Sequence, residues 1–248
     1  MLEDSIIASH DEEIRKLLIF QYHYTVPKFQ REYSWIDEHV EEFMADLIQH
    51  LEDNKNEHYF FGSIYLCRTD EKNMWIVVDG QQRLATTMIF LVVRDLFMEY
   101  GANDDANKIN EYIQYELNSK KKFRLDLNSR NNDFFHNVIL ADHAGDRKKL
   151  FLSADIGEKK LANAYEKIYA FLKEKCDSSE DEKNCLSKIV NHFLEYFIVV
   201  VNVIKTYHDQ HRIFSSMNHK GLRLSENDYV KNGIFEKIDQ NDIRSYAY

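Results

Sequence analysis

The stretch Met74-Trp75-Ile76-Val77-Val78-Asp79-Gly80-Gln81-Gln82-Arg83-Leu84-Ala85-Thr86-Thr87-Met88-Ile89-Phe90 changes its hydrophobic period in the middle. Residues 74–78 are apolar and partly β-branched, as in a strand. Asp79-Gly80 ends that run. From residue 81 to about 100 the apolar side chains Leu84, Met88, Ile89, Phe90, Leu91, Leu96 and Phe97 leave almost no polar face, so the spacing predicts a buried helix. A strand passing directly into such a helix brings the helix's free N–H groups and positive dipole end to the strand's carboxyl end, where an anion is favoured.

Working toward the N-terminus, residues 59–66 form a second strand-like run, joined to 74–78 by the polar residues 68–73, which reads as a hairpin. Residues 37–51 carry Val40, Phe43, Leu47 and Leu51 on one helical stripe. Ser9-His10-Asp11-Glu12 has the form of a capping box before Ile14, Leu17 and Leu18, which predicts an opening helix. An extended run over 19–26 ends at Pro27, the one proline.

Toward the C-terminus, the polar run 101–105 is the expected boundary between a lobe at 1–102 and a mainly helical lobe at 103–248. Helical patterns cover 106–117, 133–140, 158–175, 180–196, 209–217 and 225–238, and strand-like ones 122–127 and 197–204. The fold class expected is α+β.

Composition sets the outer limits. The chain has 248 residues with seven glycines and one proline, so helices should dominate over irregular loops. Sixteen phenylalanines and fifteen tyrosines promise an aromatic core. Cys67, Cys176 and Cys185 form no paired spacing, which argues against a disulfide framework or zinc site and for a reducing, cytoplasmic setting. Residues 1–10 lack the basic and apolar regions of a secretory signal, and the longest apolar runs, 88–93 and 197–201, are too short to span a membrane. A net charge of −10 argues against duplex binding by the whole surface, although Lys120, Lys121, Lys122 and Arg124, and then Arg147, Lys148 and Lys149, form local basic clusters.

Two segments carry candidate chemistry. Val26-Pro27-Lys28-Phe29-Gln30-Arg31-Glu32-Tyr33-Ser34-Trp35 has no amphipathic period but offers an arginine fork suited to phosphate or carboxylate and a glutamine able to donate and accept. A surface loop with an arginine salt bridge is the plain structural alternative. In Asp79-Gly80-Gln81-Gln82-Arg83, Gly80 lets backbone approach a ligand and Arg83 adds charge. Gln81 or Gln82 can orient a water, and Asp79 can hold a metal ion, take a proton from that water, or simply cap the helix. No Walker loop is present.

These two segments, together with Phe60-Phe61-Gly62-Ser63-Ile64 between them, resemble the N-terminal domain of the GmrSD restriction-endonuclease family. The later stretch Arg212 to Ser225, with Asp228 and Lys231, is similar to a further family segment. The resemblance implies a ParB/sulfiredoxin-like first lobe and binding and hydrolysis of a nucleoside triphosphate with Mg2+ or another divalent cation. It also implies coupling to recognition or cleavage of modified DNA in prokaryotic phage defence. It assigns the catalytic motif to Asp79, Gly80, Gln81, Gln82 and Arg83, and places Lys28, Gln30, Arg31, Gly62 and Ser63 on the same pocket, which Asn218 and Lys231 would close. Many relatives continue into an HNH nuclease region, and no such histidine arrangement stands in this sequence; His208 and His211 are the nearest pair. The chain is then expected to be a fragment, a truncated gene product, or a subunit whose partner is a separate nuclease polypeptide. A non-catalytic nucleotide- or DNA-binding switch and an interaction subunit are the alternatives.

Overall fold

The computed structural model describes residues 7–19, 22–28, 30–53, 57–71, 73–128, 130–142 and 147–204. In chain order the elements are β1 (Ile7–Glu13), α1 (Ile14–Ile19), β2 (His23–Thr25), α2 (Asp37–Glu52), β3 (Tyr59–Arg68), β4 (Met74–Asp79), α3 (Gln81–Leu91), α4 (Arg94–Glu99) and α5 (Asn103–Ile113). Then come β5 (Gln114–Leu117), β6 (Lys120–Phe123), β7 (Leu125–Asp126), α6 (Asn132–Phe134) with a π-helical turn (Phe135–Ile139), α7 (Arg147–Leu152), α8 (Ile156–Asp177), α9 (Glu182–Tyr196) and β8 (Phe197–Ile204). The expected α+β class holds.

Six strands form one mixed sheet in the order β1-β8-β3-β4-β2-β7. β8 runs parallel to β3 and antiparallel to β1; β3 and β4 are the expected antiparallel hairpin; β2 runs parallel to both β4 and β7. Strands from either side of residue 102 thus share one sheet. β5 and β6 pair only with each other.

α8, the longest helix described, packs on α2, α3 and α9. Its start is fixed by Asp155, which accepts from the Gly157 and Glu158 N–H groups in a capping box. The aromatic excess supplies the packing between helices and sheet. Phe43 of α2, Phe61 of β3, Phe90 of α3, Phe193 of α9 and Phe197 of β8 sit with ring centroids 4.7–5.9 Å apart in successive edge-to-face and tilted pairs. Arg94 is also enclosed, at 1% exposure, and stays paired: it bonds Asn110 and the Leu140 carbonyl and lies 3.0 Å from Asp142.

Three expectations change. Residues 9–12 do not start a helix but lie in β1, every residue of which pairs with β8. A helix cap contributes about 1 kcal/mol, whereas seven ladder pairs against the β-branched Phe197–Ile204 stretch give more. Ser9 Oγ instead donates to Asn202 Oδ1 at 2.7 Å. The helix from residue 81 breaks at Val92 and Val93, whose N–H groups make tight bonds back to the Ile89 and Phe90 carbonyls. The helix expected over 106–117 starts instead at Asn103, inside the expected boundary run, and ends at Ile113. Residues 114–117 leave it to pair with β6. The segments 209–217 and 225–238 lie outside the described residues.

Candidate nucleotide-binding junction

The site is built where β4 ends. Gly80 is the N-cap of α3 with φ +94°, a left-handed conformation open to glycine, and a side chain there would meet Ile64 Cγ2 at 2.6 Å. Asp79 therefore does not cap the helix: among the described residues no side chain caps α3. The start of an eleven-residue helix is left with its first N–H groups uncapped by any described side chain.

The glutamines and the arginine of the motif turn away from solvent and tie the three sequence segments together. Gln81 Nε2 donates to the Arg31 carbonyl at 3.0 Å. Gln82 is used at both ends: Nε2 donates to the Glu32 carbonyl at 3.2 Å, and Oε1 accepts from the Ser34 N–H at 2.8 Å. Arg83 reaches the middle segment, with Nε donating to the Phe61 carbonyl at 3.0 Å and Nη1 to the Ser63 carbonyl at 3.2 Å. Ser63 thus contributes its carbonyl to Arg83. Gly62, at φ +126°, leaves the room that the guanidinium fills.

From the other direction, Gln30 lies at 3% exposure, and its Nε2 donates to the carbonyls of Val77 and Val78 at 2.5 and 2.8 Å. Tyr33 and Thr86 share a buried hydrogen bond of 2.8 Å, and burial pushes the tyrosine hydroxyl's pKa upward. The proline-led segment, which has no helical or strand period, is held in place by these side-chain bonds. An unpaired buried carbonyl costs about 1–3 kcal/mol, which explains why amides and a guanidinium are needed at these positions.

Two charged groups of the same segments remain uncommitted. Neither the Arg31 guanidinium nor the Asp79 carboxylate makes a hydrogen bond or ion pair with any described residue. Both are partly exposed, and Lys28 nearby in sequence is exposed. Arg31 lines a narrow crevice with Tyr33, Gln81, Gln82 and Asn128. Among the described residues no group of three or more His, Cys, Asp or Glu side chains forms a metal cluster. A lone Asp79 nonetheless fits a magnesium ion that arrives with its own phosphate ligands, since that ion is commonly held by one or two carboxylates plus substrate oxygens.

Sequence reading missed Asn128. It follows β7, lies at 7% exposure and donates from Nδ2 to the Gln30 carbonyl at 3.0 Å; its Oδ1 has no partner among the described residues. The signal available was the polar run Asn128-Ser129-Arg130-Asn131-Asn132 directly after the alternating Leu125-Asp126-Leu127. Asn218 and Lys231, expected to close the pocket, lie outside the described residues, as do His208 and His211. A larger cleft of about 480 Å3, lined in part by Tyr22, Tyr24 and Trp75, shares no residue with these segments.

The fold and site define an α+β domain with a charged, uncapped strand-to-helix junction. Residues 12–235 match the GmrSD restriction endonuclease N-terminal domain family, and the chain belongs to that family. It is thereby a component of a GmrSD-like restriction system. Comparison with curated proteins gives no match. No helix among the described residues is long and apolar enough to cross a membrane.

Proposed function

We propose that the chain binds and hydrolyses a nucleoside triphosphate at the β4–α3 junction, as the hydrolytic domain of a modification-dependent restriction system. One observation carries this reading. Gln30, Gln81, Gln82 and Arg83 are engaged with backbone groups. Arg31, by contrast, lines a crevice with Gln81 and Gln82, Asp79 immediately precedes the N-cap of α3, and neither charged group has a partner among the described residues. Opposite charges left open beside a helix dipole suit a ligand that carries both phosphate and a polarised water.

In this reading Arg31 and the α3 N–H groups hold the phosphates, with Lys28 adding positive charge at the rim. Asp79 orients the attacking water and takes its proton. Gln82 and Arg83 act as positioning residues, because any reorientation toward a water would leave the Glu32, Phe61 and Ser63 carbonyls unpaired. Gln81, engaged through its nitrogen, keeps its oxygen for the water. A divalent cation, held by Asp79 and the triphosphate oxygens, would neutralise charge developing on the transferred group. Such transfer depends chiefly on positioning and charge stabilisation, which a rigidly clamped junction supplies. DNA cleavage is supplied by a nuclease elsewhere in the restriction system, and the setting is the prokaryotic cytoplasm.

The test is phosphate release from each of the four nucleoside triphosphates with Mg2+, for wild type and Arg31→Ala. The expected loss in kcat/KM is about a hundredfold, the size seen when one preorganised charge-stabilising donor is removed. Nucleotide binding without any turnover by the wild type would point to a regulatory switch, and an unaltered Arg31→Ala would remove the phosphate-holding role.

A further inference from the structure

The β5–β6 ribbon is the one described pair of strands outside the main sheet, and its exposure pattern is unusual. In a half-buried strand, exposure alternates with a period of two. Here residues 116–122 are all exposed, so both faces of the ribbon stand in solvent. The hairpin turns through Asn118 and Ser119, both at positive φ (52° and 59°), the tight two-residue turn that matches strand twist. Its base is fixed. Arg124 is 5% exposed and bonds the Glu111 carbonyl through Nε and Nη2, and its guanidinium lies 5.4 Å from the Tyr115 ring centroid. Phe123 packs on His136 at 4.3 Å. An isolated two-stranded ribbon is marginal by itself, so this arm depends on that anchored base while its tip projects.

The arm carries Lys120, Lys121 and Lys122 against one acid, Glu116, in a chain of net charge −10. None of the three lysines makes an ion pair with a described residue. The other basic cluster offers less free charge: Arg147 is committed to Asp95, Tyr165 and the Val138 and Ala141 carbonyls. Lys120 and Lys122 share one face of β6, roughly 6.6 Å apart at about 3.3 Å per residue, and Lys121 points to the other face. The major groove of duplex DNA admits a two-stranded ribbon and is walled by phosphates on both sides.

We propose that the β5–β6 ribbon is a DNA-contacting arm that enters a groove of the duplex, with Lys120, Lys121 and Lys122 neutralising phosphates on its two walls. The net charge of −10 works against a general approach of the duplex, which makes a local cluster of unpaired lysines its landing point. Compact ammonium groups on flexible stems, without an apolar pocket around them, grip phosphate without reading sequence. The inference is independent of the nucleotide site.

The test is fluorescence anisotropy of a short labelled DNA duplex titrated with the full chain between about 50 and 200 mM salt. The variants are Lys120→Ala/Lys121→Ala/Lys122→Ala and, as a control, Lys148→Ala/Lys149→Ala. The ribbon variant is expected to lose about 2 to 3 from the slope of log affinity against log salt, and at least about tenfold in affinity at the lowest salt. Its thermal unfolding and DNA-free phosphate release should match wild type, since all three positions are exposed and outside the junction. Duplex binding with an unchanged slope in the ribbon variant would overturn the proposal, as would a wild type that binds no duplex or binds only single-stranded RNA or an acidic protein. Any of these would leave the nucleotide reading standing, which rises or falls on phosphate release alone.

Discussion

The Arg83 guanidinium occupies the space that a side chain at Gly62 would need: a Cβ there would stand 2.3 Å from Arg83 Nε. Two segments 21 residues apart in sequence, at Gly62 and Arg83, are therefore coupled by the absence of a side chain in one and a long cation in the other. Gly62→Ala should both strain the backbone, at φ +126°, and expel Arg83 from the Phe61 and Ser63 carbonyls. A non-glycine residue in such a region costs of order 1–3 kcal/mol. The expected result is a melting temperature lower by several degrees and a loss of hydrolysis matching that of Arg83→Ala. Full activity and wild-type melting in Gly62→Ala would show that the Arg83 clamp is dispensable.

Gln30 offers a sharper chemical test, because its amide nitrogen faces two carbonyls and its role needs a donor. Gln30→Glu keeps the shape and removes the donor, setting a carboxylate against the Val77 and Val78 oxygens. Stability should fall by at least about 2 kcal/mol, read from the midpoint of urea unfolding, because a buried group left unpaired costs about 1–3 kcal/mol and a charged one more. Gln30→Glu unfolding at the wild-type midpoint would refute the clamp.

Acid sensitivity should come from buried imidazoles. His50 Nδ1 and His192 Nε2 lie 2.8 Å apart, each residue at 8% exposure, between α2 and α9. Burial first, and then the neighbouring His50, lower the pKa of His192 from 6.5. Burial likewise lowers that of His136. A histidine whose folded pKa is depressed binds fewer protons folded than unfolded, so stability is full above about pH 6.5 and declines as pH falls below it. Melting temperature should drop from about pH 7 to 5, and His50→Leu/His192→Leu should show a shallower decline. An identical acid slope in the double variant would assign the sensitivity elsewhere.

Much of the fold was legible in the sequence. The stripe Val40, Phe43, Leu47 and the β-branched run at 197–204 each had one dominant period, and both became the expected elements. Misreadings came where a local signal met a distant partner. Ser9 and Glu12 offered a helix cap, but β8, nearly two hundred residues away, claimed them for a strand. Glu116 and Leu117 continued a helical pattern until β6 paired with them. At the site, the motif residues were visible as a set, yet their division into clamps and uncommitted charges was not. That division depends on which carbonyls the fold leaves unpaired, and no spacing encodes it. Asn128 was invisible for the same reason: its place beside Gln30 is created by β7 pairing with β2.

In the proposed mechanism the open charges at the β4–α3 junction perform hydrolysis. Steady-state phosphate release with Mg2+ in wild type and Asp79→Ala measures this most directly, with nucleotide binding followed in parallel. Turnover is expected from the wild type and should be almost completely lost in Asp79→Ala, with the mutant still folded and still binding nucleotide through Arg31 and the α3 N–H groups. Equal turnover by the two proteins would contradict it.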